Sequence, residues 1–314
     1  MMPRRQLLGM PLLAALLAGL AARALAAPAP PIITDPLLPA HATQQVAAHV
    51  YVIKGFPNIG IIVGSKATLV VDTGVGARNG ALVAREARRL STAGQRLYLT
   101  TTHFHPEHAS GQAGFPPATI VLRNRAQQQD LDAQGARLMA LFASHSAQMA
   151  TLLKGASVGQ ADLLFDRELD VDLGGVHARL LYYGAAHTRG DELIFIPEDG
   201  VLLPGDVVQD EISPNITCDT CSPRQWIAVL DRVASLHPRL ILPDHGGFGG
   251  EALIGQERAF LVALQTRAMA LKAQGKSAAE AGRLIAAELS QRYPDWQSLR
   301  NIPQSVQRAY ADRP

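Results

Sequence analysis

Thr101-Thr102-His103-Phe104-His105-Pro106-Glu107-His108 is the stretch on which the reading of this chain turns. Three imidazoles and a carboxylate fall within six residues, directly after a strand-like run, Arg96 to Thr101. Neutral imidazole nitrogen and carboxylate oxygen are both zinc ligands. Strand-like alternation turns His103 and His105 to one side. Pro106 then redirects the chain, so Glu107 and His108 approach from another direction, and one segment can feed two neighbouring metal ions. A chance cluster on a solvated loop would show the same letters, so further weight has to come from elsewhere in the chain. It comes from His187 after Tyr182-Tyr183-Gly184-Ala185-Ala186, Asp206 after Leu203-Pro204-Gly205, and His245 after Leu242-Pro243-Asp244. Each follows a strand-like run, and strand ends are where loops gather to make sites.

The surrounding order is strand-rich in both halves. Val46 to Ile53, Asn58 to Val63 and Ala67 to Val71 read as strands separated by Gly-Phe-Pro and Gly-Ser-Lys turns. Ala77 to Leu90 has helical periodicity, Thr119 to Leu122 is another strand, and Arg123 to Leu153 is mainly helical with a break expected near Gly135. Glu168 to Leu173, Val176 to Tyr183, Glu192 to Ile196, Val201 to Leu203 and Leu240 to Leu242 are short strands. Ser222-Pro223-Arg224-Gln225 starts a helix, with Ser222 as cap, Pro223 at the first helical position and Gln225 able to complete a capping box. Glu251 to Gln274 and Ser277 to Tyr293 finish the chain as helices. Two packed sheets with helices outside satisfy this order, whereas a doubly wound sheet would alternate more strictly. Gly74-Val75-Gly76 with Gly80 spaces its third glycine one position too late for dinucleotide binding.

The ordered set of site residues resembles that of the metallo-β-lactamase superfamily, whose pattern is His-x-His-x-Asp-His, then a distant His, an Asp and a His. The matching positions here are His103, His105, Glu107 and His108, followed by His187, Asp206 and His245, and Val71-Asp72-Thr73-Gly74 resembles the family's early Asp motif. The likeness covers roughly residues 46 to 250 and is poor at naming a substrate. It implies an α/β fold, a four-layer αβ/βα sandwich of two mixed β-sheets with helices outside. It also implies that His103, His105 and His187 hold a first metal, that Glu107, His108 and His245 hold a second, and that Asp206 bridges both. Asp72 would accept a hydrogen bond from a ligand histidine and fix its tautomer. The implied cofactor is Zn2+, two per chain, with iron or manganese as the other metals considered. A metal-bound hydroxide would then attack an acyl, lactam, lactone or thioester bond of a small-molecule substrate, with Glu107 or Asp206 moving a proton. Glu107 stands where the family has Asp, one methylene shorter. Two other classes remain open: a non-haem iron oxygenase of the persulfide dioxygenase kind, and a non-catalytic periplasmic metal- or substrate-binding protein.

Composition sets the frame for the rest. With 314 residues, 47% hydrophobic and 18% charged, the chain suits one large globular domain. No long basic run supports nucleic-acid binding. Arg4 and Arg5 precede an apolar stretch, Leu7 to Leu20, and Ala24-Leu25-Ala26. This predicts a signal peptide over 1–26, loosely of the twin-arginine kind, and a periplasmic or secreted protein with no stable membrane span after cleavage. Cleavage would remove Arg4, Arg5 and Arg23 and no acid, leaving 26 basic against 27 acidic residues. A flexible Ala/Pro-rich lead-in is expected over 27–45, and the resemblance implies a metallo-β-lactamase-fold domain, C-terminal helices included, over 46–314. The two cysteines, Cys218 and Cys221, would form a disulfide in an oxidising compartment. Tyr182, Tyr183 and Trp226 are read as core, Arg189 as a loop charge. His41, His49, His145, His177 and His237 fit no ligand position.

Overall fold

The structure, a computed structural model, describes residues 34–157 and 159–312. The expected signal peptide and residues 27–33 lie outside the described residues. The first half runs β1 (Thr43–Gln45), β2 (Val50–Ile53), β3 (Ile59–Val63), β4 (Ala67–Val71), α1 (Gly76–Leu90), β5 (Arg96–Thr100), α2 (Pro106–Ala109), β6 (Ile120–Asn124), α3 (Arg125–Ala143), α4 (Ala147–Leu152) and β7 (Leu163–Phe165). The second half runs β8 (Glu168–Asp172), β9 (His177–Leu181), β10 (Leu193–Ile196), β11 (Val201–Leu203), α5 (Pro223–Ala234), β12 (Leu240–Ile241), α6 (Ala252–Ala273), α7 (Ala278–Arg292) and α8 (Ile302–Ala311).

Seven strands form one sheet in the order β1 to β7, and five form a second in the order β12-β11-β10-β9-β8. Both sheets are mixed. β1 to β4 pair antiparallel and β4 to β7 parallel, while in the second sheet only β11 and β12 are parallel. β3, β4 and β10 are predominantly apolar along their length because both of their faces are covered. Ile62, Leu69, Val71 and Leu122 point into the space between the sheets, where they meet Leu180, Ile194, Ile196 and Leu203. Their neighbours Ile61, Val70, Leu99 and Val121 point outward onto Val83, Ala84 and Ala87 of α1. The second sheet does the same: Leu181, Leu193, Phe195 and Leu202 pack outward onto Trp226, Val229 and Leu230 of α5 and onto Leu253 and Leu261 of α6. The result is the expected four-layer sandwich. A slip of one residue in any central strand would exchange its two apolar faces, and each face has its own partner.

Several local expectations need correcting. Val46 to Ile53 is not one strand. Its start folds into a turn in which the Val46 and Ala47 amides both donate to the Val50 carbonyl. The domain begins before Val46: Leu38 is buried, its amide donates to Asn79 Oδ1 at 3.1 Å, and β1 adds an edge strand within the expected lead-in. α3 runs straight through Gly135, which is buried, so the roughly 1 kcal/mol helix penalty of glycine is overridden by packing. The break falls instead near Ser146, whose side chain caps α4 by accepting from the Met149 amide. β7 and α8 were not foreseen. At α5, Ser222 caps as expected, accepting from the Gln225 amide.

Candidate metal centre

The topology brings the chemistry-bearing residues to one edge of the sandwich. β4 and β5 are parallel, so Asp72 and the His103–His108 segment leave the first sheet at the same end. In the second sheet β9, β11 and β12 all run in one direction, since β10 is antiparallel to both β9 and β11 while β11 and β12 are parallel. His187, Asp206 and His245 therefore emerge together. His105 is the extended residue before α2 and Pro106 is its first helical residue, so the chain turns there and presents Glu107 and His108 from a helical turn. Asp206 sits in a tight turn behind Gly205, whose φ is +60° and where a Cβ would stand 2.8 Å from Thr102 Cβ. Only glycine lets the Asp206 turn approach the β5 loop this closely.

All seven expected ligands are buried. They fall into groups whose donor atoms lie within 4.8 Å of one another: His103 with His105 and His187; Glu107 with His108 and His245; and His103 with His108 and Asp206. His105 Nδ1 is 3.1 Å from His103 Nε2 and 3.3 Å from His187 Nε2. Asp206 reaches both sides, with Oδ2 3.5 Å from His187 Nε2 and Oδ1 3.6 Å from His245 Nε2. Glu107 Oε1 is 3.8 Å from His108 Nε2, so the longer side chain still reaches the cluster. Separations of 3.5–3.8 Å are too long for good hydrogen bonds.

The donor set fits a cation. Glu107 Oε2, His108 Nε2, Asp206 Oδ1 and His245 Nδ1 are buried and have no hydrogen-bond partner. Leaving such atoms unsatisfied costs about 1–3 kcal/mol each, more when charged, and a shared cation removes that cost. The opposite ring nitrogens are tied from behind. His187 Nδ1 lies 2.5 Å from the Asn215 carbonyl oxygen, which can only accept, so Nδ1 carries the proton and Nε2 is free to ligate. His108 Nδ1 lies 2.9 Å from Asp72 Oδ2 and 3.2 Å from Asp244 Oδ2. Asp72, at φ +69°, also accepts the Thr102 amide at 2.7 Å, and the Thr102 hydroxyl stands 2.9 Å from Asp72 Oδ2 and 2.8 Å from Asp244 Oδ2.

Electrostatics sort these groups further. Burial pushes His103 and His105 well below the usual imidazole value, and neighbouring imidazoles add to the effect. Burial also lowers His187 and His245, although Asp206 opposes it. At His108 burial is outweighed by Asp72 and Asp244, which hold it well above the ordinary value. Burial raises Asp206 less than His245, His187 and His108 lower it, so it lies at about 2. Burial takes Glu107 up to about 7 despite His108. A proton and a metal compete for the same lone pairs, so loading this cluster releases protons.

Sequence reasoning overlooked four residues around the cluster. Asp244 is 2% exposed, is raised by burial and by Asp72 to about 7, and faces both the His108 ring and the Thr102 hydroxyl. Its place beside His245 was the available signal. Thr102 and Asn215 act through backbone and hydroxyl contacts that no motif marks. Asp191 accepts the Ala186 and Thr188 amides at 2.9–3.0 Å and so fixes the turn that carries His187. Among residues read as structural, Trp226 is fully buried and donates Nε1–H to the Val207 carbonyl. The Tyr182 hydroxyl donates to the Arg189 carbonyl, and Arg189 pairs with Asp130 at 2.7 Å. His49 and His177 pair with Asp199 and Glu198 away from the site. His145, however, lines the cleft over the cluster beside Phe142. That cleft, of about 520 Å³, has Phe56, Phe104, Leu138 and Phe142 as its apolar wall and His105, Glu107, His187, Asp206 and His245 among its polar lining. A wider groove of about 690 Å³ along α6 and α7 contains none of the clustered residues. Cys218 and Cys221 are joined as a disulfide, next to Thr217, whose amide and hydroxyl donate to the His187 carbonyl at 3.0 and 2.8 Å.

Comparison with known proteins agrees with this geometry. The metallo-beta-lactamase superfamily profile matches residues 52–245. A metallo-beta-lactamase type 2 from Bacteroides fragilis is 28% identical over 93 residues, covering 29% of this chain and 37% of that protein. A linear primary-alkylsulfatase from a Pseudomonas species is 24% identical over 230 residues, covering 63% of this chain and 42% of that protein. The chain thus spans about two fifths of the length of each relative. The solved structure of the stereoselective inverting sec-alkylsulfatase Pisa1 from Pseudomonas sp. has a TM-score of 0.63 at 17% identity, over 86% of this chain and 50% of that one, a likeness of fold. The profile match begins in β2 and ends on His245, the last clustered histidine, and on that span this chain belongs to the metallo-beta-lactamase superfamily.

Proposed function

We propose that the protein is an exported metal-dependent hydrolase that holds two zinc ions and cleaves an acyl, lactam, lactone or thioester bond in a small molecule. The observation that carries this reading is the convergence of two donor groups, His103/His105/His187 and Glu107/His108/His245, on one carboxylate, Asp206, whose oxygens face opposite groups. A single-iron oxygenase would need only one facial set of three ligands, which can include one carboxylate, and would leave the second donor group without an ion.

Metal ions in such a donor set supply an activated water near neutral pH and polarise the bond under attack. The chain's own residues do the rest. Asp72 and the Asn215 carbonyl hold the back protons of His108 and His187 and so aim the front nitrogens. Glu107 would share the second ion with His108 and His245, which would keep its carboxylate ionised at the cleft floor. Phe104 and Phe142 stand beside His105 on the wall of the cleft, with ring centroids 5.0 and 6.5 Å from its imidazole, and give the substrate an apolar surface there.

Sulfate-ester cleavage is a second reading of the bond class. It is favoured by the alkylsulfatase match, which extends over more of this chain than the β-lactamase match does. The test is metal analysis of purified protein followed by a turnover panel of one chromogenic ester, lactone, cephalosporin, thioester and alkyl sulfate. Zinc-dependent turnover of one class, lost on chelation and restored by zinc, is expected. No turnover with full zinc loading, or oxygen uptake with iron as the bound metal, would overturn the hydrolase reading.

A further inference from the structure

The family match ends at residue 245, yet part of the wall of the cleft comes from beyond it. Between α7 and α8 a short turn, residues 298–301, carries Arg300 into the lining of the cleft, and α3 contributes Arg137 to the same lining. This turn is fixed in place. The Ser213 amide donates to the Gln297 carbonyl at 2.9 Å and the Gln297 amide to the Glu211 carbonyl at 2.8 Å. Gln304 Nε2 donates to the Ile216 carbonyl and Ser305 Oγ to the Pro214 carbonyl, each at 3.0 Å. The loop so held is the one whose Asn215 carbonyl orients His187, so the turn is registered against the cluster itself.

Charge in the cleft is divided unevenly. The acids in its lining are Glu107 and Asp206, both within the metal cluster. Arg300 and Arg137 lie in the same lining without an ion-pair partner among the described residues; Arg137 makes only a 3.3 Å hydrogen bond to Gln134. Beside them lies uncovered apolar surface, with Leu141 47% exposed next to Leu138, Phe142 and Phe104. Two unpaired guanidinium groups next to an apolar wall, with a cation-binding cluster at the floor, suit a ligand of one kind. Guanidinium groups are preorganised for carboxylate, sulfate and phosphate oxygens.

We infer that Arg300, assisted by Arg137, forms a recognition site for an anionic group on the substrate remote from the bond cleaved, the intervening part of the substrate being apolar. The inference rests on the hydrolase reading for the word substrate, but the site itself is tested by binding. The probes are octanoate and suberate, eight-carbon acids with one and two carboxylates, titrated calorimetrically into zinc-loaded protein. Both can place one carboxylate at the metals, and only suberate has a second to offer. Wild type should prefer suberate by about tenfold, twofold of which is statistical, as expected for an exposed charge pair. Arg300→Ala should cut that preference to about twofold or threefold and leave octanoate unchanged, Arg300→Lys should keep part of it, and Arg137→Ala should reduce it less. Raising salt to about 0.5 M should shrink the wild-type preference. No preference in wild type, the same preference in Arg300→Ala, or equal weakening of both acids would overturn the assignment. A turnover panel that fails leaves this binding difference standing, and a hydrolase without the difference sinks only this inference.

Discussion

Replacing Asp72 with Asn tests whether the metal cluster is oriented from behind. Asp72 is fully buried and accepts the Thr102 amide at 2.7 Å, with His108 Nδ1 2.9 Å from its other oxygen. Asn keeps the volume and one acceptor. If its carbonyl stays on the Thr102 amide, its NH2 group faces His108 Nδ1, which also needs to donate. The imidazole must then move its proton to Nε2, and the lone pair toward Glu107 and His245 is lost. Partners of this outer kind are typically worth 10–100-fold in metal affinity, roughly 1.4–2.7 kcal/mol. Asp244, 3.2 Å from the same nitrogen, retains part of the orientation, so the expected loss is in the lower range, about 10–30-fold. The assay is competitive zinc titration of metal-free wild type and Asp72→Asn against a chromophoric chelator, with a thermal melt of each to confirm folding. The loss should fall on the ion held by Glu107, His108 and His245, and the ion at His103, His105 and His187 should shift by less than about threefold. A folded Asp72→Asn that binds both ions within twofold of wild type would refute the argument.

Three further outcomes follow from the same geometry. Glu107→Gln keeps the side-chain length and removes the charge, so it should weaken the same ion and leave the other nearly intact, whereas Glu107→Asp should retain part of the binding with a changed rate; two fully bound ions in Glu107→Gln would mean that Glu107 is a proton carrier only. Gly205→Ala places a Cβ 2.8 Å from Thr102 at a φ of +60°, so melting should show a loss of roughly 1–3 kcal/mol with reduced metal content, and a wild-type melt would contradict the close-approach argument. Mass spectrometry of protein from the native host should find a mature N-terminus near Ala27; an intact Met1 or Met2 start would remove the case for export.

Much of this site was legible because metal chemistry leaves few residue types to choose from. His103, His105, Glu107 and His108 could be picked out because they crowd into six residues, and His187, Asp206 and His245 because each follows an apolar run, strand ends being what the fold brings together. The two-faced burial of β3, β4 and β10 was likewise written in runs made mostly of Val, Ile and Leu. What the sequence hid depends on tertiary contact. Asp244 looked like a turn residue until His108 and Thr102 were placed beside it. Gly135 suggested a helix break, but its helix is held by packing rather than propensity. β1 is a three-residue edge strand of Thr43, Gln44 and Gln45, too short and too polar for a periodic signal. The wall formed by residues 298–304 carries no motif, and its place over the cleft is set by hydrogen bonds to residues more than 80 positions earlier.

The central claim is that one chain holds two metal ions sharing Asp206, and metal stoichiometry tests it most directly. Elemental analysis under zinc-replete conditions should give about two zinc ions per chain for wild type and for His177→Ala, whose imidazole pairs with Glu198 at the surface. Asp206→Ala should fall to about one or fewer, since the carboxylate between the two donor groups is gone. A wild type that never exceeds one equivalent, or an Asp206→Ala variant that still binds two, would contradict the account.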